Sequence, residues 1–147
     1  KRGDYALPAT VTAVGPYAFR ECSIEKFVFP AGLTKIGECA FYNSKVREVV
    51  LPSTLKMLPT GVFQKCADLK TVRLGNDVEL LSDYVFDGCP LTDLYITAPL
   101  PPVCGSNTFA TTGADFVKTC RLHVPKGRKK YYRANAKWNV FDNIVEE

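Results

Sequence analysis

A single histidine, His123, one tryptophan and one methionine occur in 147 residues. There is no His-Glu-x-x-His pair for zinc, no Gly-x-Ser-x-Gly turn and no glycine-rich phosphate loop, so no motif-based hydrolase, metalloenzyme or nucleotide-binding class is indicated and no cofactor is implied. Long apolar runs are equally scarce. Val49, Val50 and Leu51 form one of the longest, far short of a bilayer span. The residues after Lys1 lack the charged-then-apolar layout of a signal peptide, so export would need a signal outside this sequence. A composition of 46% hydrophobic and 23% charged residues excludes disorder and suits one soluble domain with a workable core.

What the chain does have is repetition. Leu7-Pro8, Phe29-Pro30, Leu51-Pro52 and Leu74-Gly75 recur at spacings of 22, 22 and 23, and Phe19, Phe41, Phe63, Phe86 and Phe109 recur at 22, 22, 23 and 23. Three further columns keep that step and are apolar throughout: Val11, Leu33, Leu55 and Val78; Val14, Ile36, Leu58 and Leu81; Ile24, Val46, Leu69 and Leu91. A period shared by so many columns marks stacked units that bury their apolar edges against one another.

Within each unit a period of two locates a strand. Phe27 and Phe29 face in and Lys26 and Val28 face out; the same alternation holds for Val49/Leu51, Val72/Leu74 and Leu94/Ile96. Tyr5 and Leu7 fit upstream, and Leu122 and Val124 fit downstream, giving six short parallel strands about 4.8 Å apart. Proline or glycine after most strands turns the chain, and Gly15 and Gly37 supply a second bend. The expected fold is a β-rich, right-handed solenoid of about five turns of 22–23 residues, of the leucine-rich-repeat type. Residues 99–119 break the spacing and read as an irregular fifth turn with an inserted loop.

One domain is expected over residues 1–147, with repeats at about 5–124 and a helical cap at 125–147. In residues 128–138, Tyr131, Ala134 and Trp138 lie at helical spacing, and Val140, Phe141, Ile144 and Val145 add a second apolar patch. The opposite end has no such lid. Further repeats, an upstream domain or self-association are therefore expected to cover the first strand.

The motif Phe29-Pro30, Leu33-Thr34-Lys35-Ile36-Gly37, Ala40-Phe41, with its counterpart in residues 11–15 and Ala18-Phe19-Arg20-Glu21-Cys22, resembles the BspA-like leucine-rich repeat family of bacterial surface proteins. The ending, from Leu122-His123-Val124-Pro125 through Tyr131-Tyr132 and Trp138, is similar to that family's terminus. Departures are local: Pro59 and Ser82 replace the glycine, Val62 and Val85 the alanine, and Ser44 the cysteine. The resemblance implies an exported or surface-anchored protein used in adhesion or recognition.

Several groups then compete for a functional role. The outward strand positions form two columns, Asp4, Lys26, Glu48, Thr71, Asp93, Arg121 and Ala6, Val28, Val50, Arg73, Tyr95, His123. Val28, Val50, Arg73, Tyr95 and His123 are the candidate ligand-binding residues, because exposed apolar and aromatic groups drive protein contact. The alternating charges of Asp4, Lys26 and Glu48 could equally satisfy one another. His123 taken alone reads as an exposed strand residue and not as a base or metal ligand.

The net charge of +4 is concentrated: without Lys126, Arg128, Lys129, Lys130, Arg133 and Lys137, 13 basic residues face 15 acidic ones. The patch Arg128, Lys129, Lys130, Arg133 and Lys137 is either a polyanion site for glycan or lipid headgroups or the solvated side of the cap. The partner expected is a protein on a host or neighbouring cell, and nucleic acid is not expected; a structural spacer within a larger surface protein is the remaining alternative.

Cys22, Cys66 and Cys89 each follow a column phenylalanine by three residues and read as free thiols filling one stacked row. Cys104 and Cys120 flank the irregular loop and are the pair able to form a disulfide, worth about 3 kcal/mol. Arg2-Gly3-Asp4 spells an integrin-read tripeptide, but its strand register sits poorly with an exposed loop tip.

Overall fold

The computed structural model describes residues 4–110 and 116–147. Long and short strands alternate along the chain: β1 (Asp4–Ala6), β2 (Ala13–Val14), β3 (Lys26–Val28), β4 (Lys35–Ile36), β5 (Glu48–Val50), β6 (Met57–Leu58), β7 (Thr71–Leu74), β8 (Leu80–Leu81), β9 (Asp93–Ile96), β10 (Val103–Cys104), β11 (Arg121–Val124) and β12 (Asn143–Glu146). A 3-10 turn (Phe116–Lys118) precedes β11, and one short helix, α1 (Lys129–Ala134), precedes β12.

The odd-numbered strands and β12 form one parallel sheet in the order β1-β3-β5-β7-β9-β11-β12, apart from β10, β8 and β6, which pair as a second sheet; β2 and β4 form a third. Seven strands joined by six coils replace the six strands and five turns expected. The added strand is β12, which pairs with β11 through Leu122↔Ile144 and His123↔Val145. Its residues had been assigned to an apolar patch of the cap, and only Ile144 of its four is buried. A single buried position carries no alternation for a sequence reading to detect.

The repeat length sets the register. A step of 22 pairs Tyr5 with Phe27, and a step of 23 pairs Val49 with Val72. After the strands, the carbonyls of Pro8, Pro30 and Pro52 accept bonds from the N–H groups of Val11, Leu33 and Leu55 at 3.0, 3.1 and 3.2 Å. Each such turn swings the chain toward its short strand, using the fixed φ of proline where no donor is needed.

A third side of each coil has no regular strand, and two columns of left-handed residues shape it. Tyr17, Cys39, Gly61 and Tyr84 form one, and Glu21, Asn43, Lys65 and Gly88 the other, with φ between 51° and 77°. Such a conformation costs a non-glycine residue about 1–2 kcal/mol. It is offset because it aims alternate N–H groups at the next coil: Cys39 donates to Thr60 at 3.1 Å, Phe41 to Val62 at 2.9 Å and Asn43 to Gln64 at 2.8 Å. The same three bonds start from Gly61, Phe63 and Lys65.

Gly37 owes its identity to crowding. A Cβ there would press on the backbone of the preceding coil, 2.6 Å from the carbonyl carbon of Gly15 and 2.7 Å from Cα of Pro16, whereas one on Gly15 would meet nothing within 4 Å. Gly37→Ala is therefore expected to destabilise by about 1–3 kcal/mol, and Gly15→Ala by less than about 0.5 kcal/mol. Urea midpoints of the two variants compare them directly, and equal midpoints would refute the crowding.

The core is a stack of rings. Phe19, Phe41, Phe63 and Phe86 lie 5.3, 5.5 and 6.2 Å apart with interplanar angles of 13°, 22° and 3°. Phe109, expected to be next, packs instead on Trp138 and Phe141 at 5.0 and 5.1 Å, while Phe116 meets Phe86 edge-on at 6.4 Å. The 3-10 turn that follows the inserted loop brings Phe116 into the place the spacing assigned to Phe109.

The cap also differs from expectation. Tyr132 is fully buried, its hydroxyl donating to the carbonyl of Ala98 at 2.9 Å, whereas Tyr131 and Ala134 are exposed. With only six residues in α1, the helical period cannot be carried on to Trp138. Trp138 is nonetheless buried, as are Phe141 and Ile144, while Val140 and Val145 are exposed.

All six cysteines are free thiols. Cys104 and Cys120, the pair able to form a disulfide, are both free: their sulfurs face the carbonyls of Pro102 and Arg121, at 3.7 and 3.6 Å. Burial pushes each of these thiols up to about 12. In the expected stacked row, Cys66 and Cys89 donate to the carbonyls of Phe41 and Phe63 at 3.0 and 2.9 Å.

Candidate functional site

The outward face of the main sheet is built by register. Val50 pairs with Arg73, Arg73 with Tyr95 and Tyr95 with His123, so these side chains stand side by side on successive strands β5, β7, β9 and β11. Strand separation in a sheet is about 4.8 Å. Flat groups on neighbouring strands can close that gap by tilting onto one another, and here they do. The Arg73 guanidinium carbon lies 3.7 Å from the Tyr95 ring centroid, and the Tyr95 and His123 rings stack at 4.0 Å and 8°.

The far end of this stack is fastened. Nε2 of His123 lies 2.8 Å from Asp93 Oδ1, and Nδ1 lies 2.5 Å from Glu147 Oε1. Arg121 grips the same Asp93 with both Nε and Nη2, at 2.9 and 3.3 Å. His123 is only 8% exposed, so the reading of it as an isolated exposed residue is corrected. Asp93 stands beside Arg121 in the outward column, which was visible in the repeat. No periodic signal marks Glu147, which follows the last strand.

Partial burial raises the Asp93 carboxyl, but the hydrogen bonds from His123 and Arg121 outweigh it and hold the group below its ordinary value. A lowered carboxyl contributes stability that is complete above its unfolded value, about 3.9, and is lost as the pH falls through the lower folded value. The melting temperature of the wild type is accordingly expected to exceed that of Asp93→Asn at pH 6, with the gap closing on acidification to about pH 2. A gap independent of pH would contradict this coupling.

Beside the stack lies a cleft of about 330 Å³, lined by Arg73, Tyr95, His123, Pro125 and Glu147 where the strands β7, β9 and β11 end. Thr97 also borders it, and its hydroxyl donates to the Leu74 carbonyl at 3.4 Å. Val28 and Val50 continue the face beyond Arg73 and are 50% and 47% exposed. The structure thus brings Arg73, Tyr95 and His123 into direct contact, with Val50 next in register, and leaves Val28 one strand further out.

The basic residues of the cap have different partners. Arg133 donates to the carbonyls of Phe141 and Asp142 at 2.7 and 2.9 Å, and Lys137 reaches the carbonyl of Ser106 at 3.4 Å. Arg133 thus ties the helix to the end of the cap, and Lys137 joins the cap to the irregular turn. Arg128 and Lys130 lie over the Tyr131 ring at 5.5 and 5.2 Å, and the backbone N–H of Lys129 donates to Glu146 Oε1. Among the described residues no cluster of His, Cys, Asp and Glu side chains could hold a metal ion, and no helix is long and apolar enough to cross a membrane. Arg2 and Gly3 of the tripeptide motif lie outside the described residues, and Asp4 opens β1 in register with Lys26.

The repeats match a known family model, described as BspA type leucine rich repeat region, in six copies over residues 3–113. No curated protein matches the chain at significant similarity.

Proposed function

Since the chain belongs to the BspA-type leucine-rich repeat family, we propose that it is a non-catalytic recognition module that acts at a cell surface or outside the cell and binds a protein through the outward face of its main sheet. The family's repeats generally serve protein–protein interaction, and the observation that favours this face is the Arg73–Tyr95–His123 stack. Tyrosine and arginine are the residue types most enriched where protein contacts concentrate their energy. Side chains already held in place lose less freedom when a partner arrives.

Polyanion binding by the cap is the second reading, carried by Arg128, Lys129 and Lys130. The salt response separates the two, because polyanion binding weakens steeply with ionic strength. Purified protein is applied to intact host or neighbouring bacterial cells at low and high salt. Val28→Asp with Val50→Asp and Tyr95→Ala is expected to lower binding by about tenfold or more, equivalent to about 1.4 kcal/mol. Neutralising Arg128, Lys129 and Lys130 is expected to change it by less than about twofold. The reverse pattern would transfer the function to the cap.

A further inference from the structure

We propose that the cleft beside Arg73 receives an acidic side chain, glutamate or aspartate, from the partner protein, with Arg73 as its charge-pairing group. This rests on the sheet-face reading and adds the chemistry of the partner to it. The first observation is the distribution of charge. Both carboxylates near the cleft already have partners of their own, Asp93 in Arg121 and His123, and Glu147 in His123. Arg73 is the cation of the outer column, and among the described residues it has no ion-pair or hydrogen-bond acceptor.

The second observation is placement. The Arg73 guanidinium carbon rests 3.7 Å from the Tyr95 ring centroid, so the group is held against the ring. Its N–H groups form the fork a carboxylate meets with two parallel bonds. The ring beneath is stacked on an imidazole pinned between two carboxylates, so the fork is supported from below by a series of fixed contacts. Ordering that an arginine normally undergoes on pairing is largely complete before the partner arrives.

The third observation is the lining. Pro125 and the Tyr95 ring give an apolar side to a cleft of about 330 Å³, which suits the methylene stem of an amino acid carrying a charged tip. Val50, next to Arg73 in register and half exposed, extends that apolar surface toward whatever flanks the acid.

The test uses the full chain and a capped peptide, acetyl-Val-Glu-Val-amide, with its Gln counterpart and sialyllactose as separate probes in an NMR titration. The Glu peptide is expected to shift the Arg73 side-chain N–H and the Tyr95 and His123 ring signals, with the Gln peptide about tenfold weaker. Arg73→Gln is expected to abolish that preference, Arg73→Lys to retain part of it, and Arg128→Gln to leave it intact. Equal response to the Glu and Gln peptides, an unchanged preference in Arg73→Gln, or sialyllactose binding at Arg73 in place of the peptide would each overturn the proposal. If the preference fails while Val28→Asp with Val50→Asp still abolishes cell binding, the acid is wrong and the face is right. If those two changes are also neutral, the sheet-face reading falls with it.

Discussion

Replacing Trp138 with alanine is expected to lower stability by about 3–5 kcal/mol, the range for deleting a large aromatic from a packed interior. The ring is fully buried and packs on Phe109, Tyr132 and Phe141 with centroids 5.0, 5.4 and 6.0 Å away. Its Nε1–H also donates to the carbonyl of Pro102 at 2.9 Å, so deletion leaves an acceptor facing a void. Trp138→Phe keeps part of the ring and loses the donor, and a smaller cost of about 1–3 kcal/mol is expected. Urea unfolding followed by circular dichroism measures both. A loss below about 1 kcal/mol for the alanine variant would mean that the cap does not seal the core.

The second large effect lies at the middle of the ring stack. Phe63→Ala should also cost about 3–5 kcal/mol, since Phe63 is fully buried between Phe41 and Phe86. Here the form of the transition matters as much as its midpoint. In a stack where each coil touches only its neighbours, cooperativity is carried by the interfaces between coils. A gap at the central interface weakens the link between the two halves, so the unfolding curve is expected to broaden or split. Phe19→Ala, at a ring that is only partly buried, is expected to cost less and leave the transition sharp. A sharp, single transition for Phe63→Ala would show that the strands and not the rings couple the coils.

These two residues also illustrate what was legible in the chain. Phe63 could be placed from the sequence because its whole environment repeats: the rings above and below it come from the same column, and the period alone positions them. The outward column Val50, Arg73, Tyr95 and His123 followed from the same logic, since register in a parallel stack is a matter of counting residues. Trp138 could be marked as buried but not positioned, because its neighbours come from the irregular turn and the cap, where no column recurs. The exchange of Phe116 for Phe109 and of Tyr132 for Tyr131 arose in those two places.

Two further features were beyond reach for a different reason. The left-handed columns contain Tyr17, Glu21, Cys39 and Lys65, residue types with no preference for that conformation. The neighbouring coil imposes it by offering carbonyls to their N–H groups, and a contact imposed by a neighbour leaves no local signature. His123 is similar. Its two carboxylates come from β9 and from the residue after β12; the column placed Asp93 nearby, but a lone imidazole in a strand pattern gives no hint of Glu147.

The row of sulfhydryl groups has a kinetic meaning. Cys66 and Cys89 are sealed inside consecutive coils, each bonded to a carbonyl of the coil before it, whereas Cys22 and Cys39 sit in partly open positions. Burial also drives the Cys89 thiol far above its usual value. An alkylating reagent can reach the sealed sulfurs only when their coils part, so the order and pace at which the thiols are modified time the fraying of this protein coil by coil, each cysteine serving as a clock for its own layer.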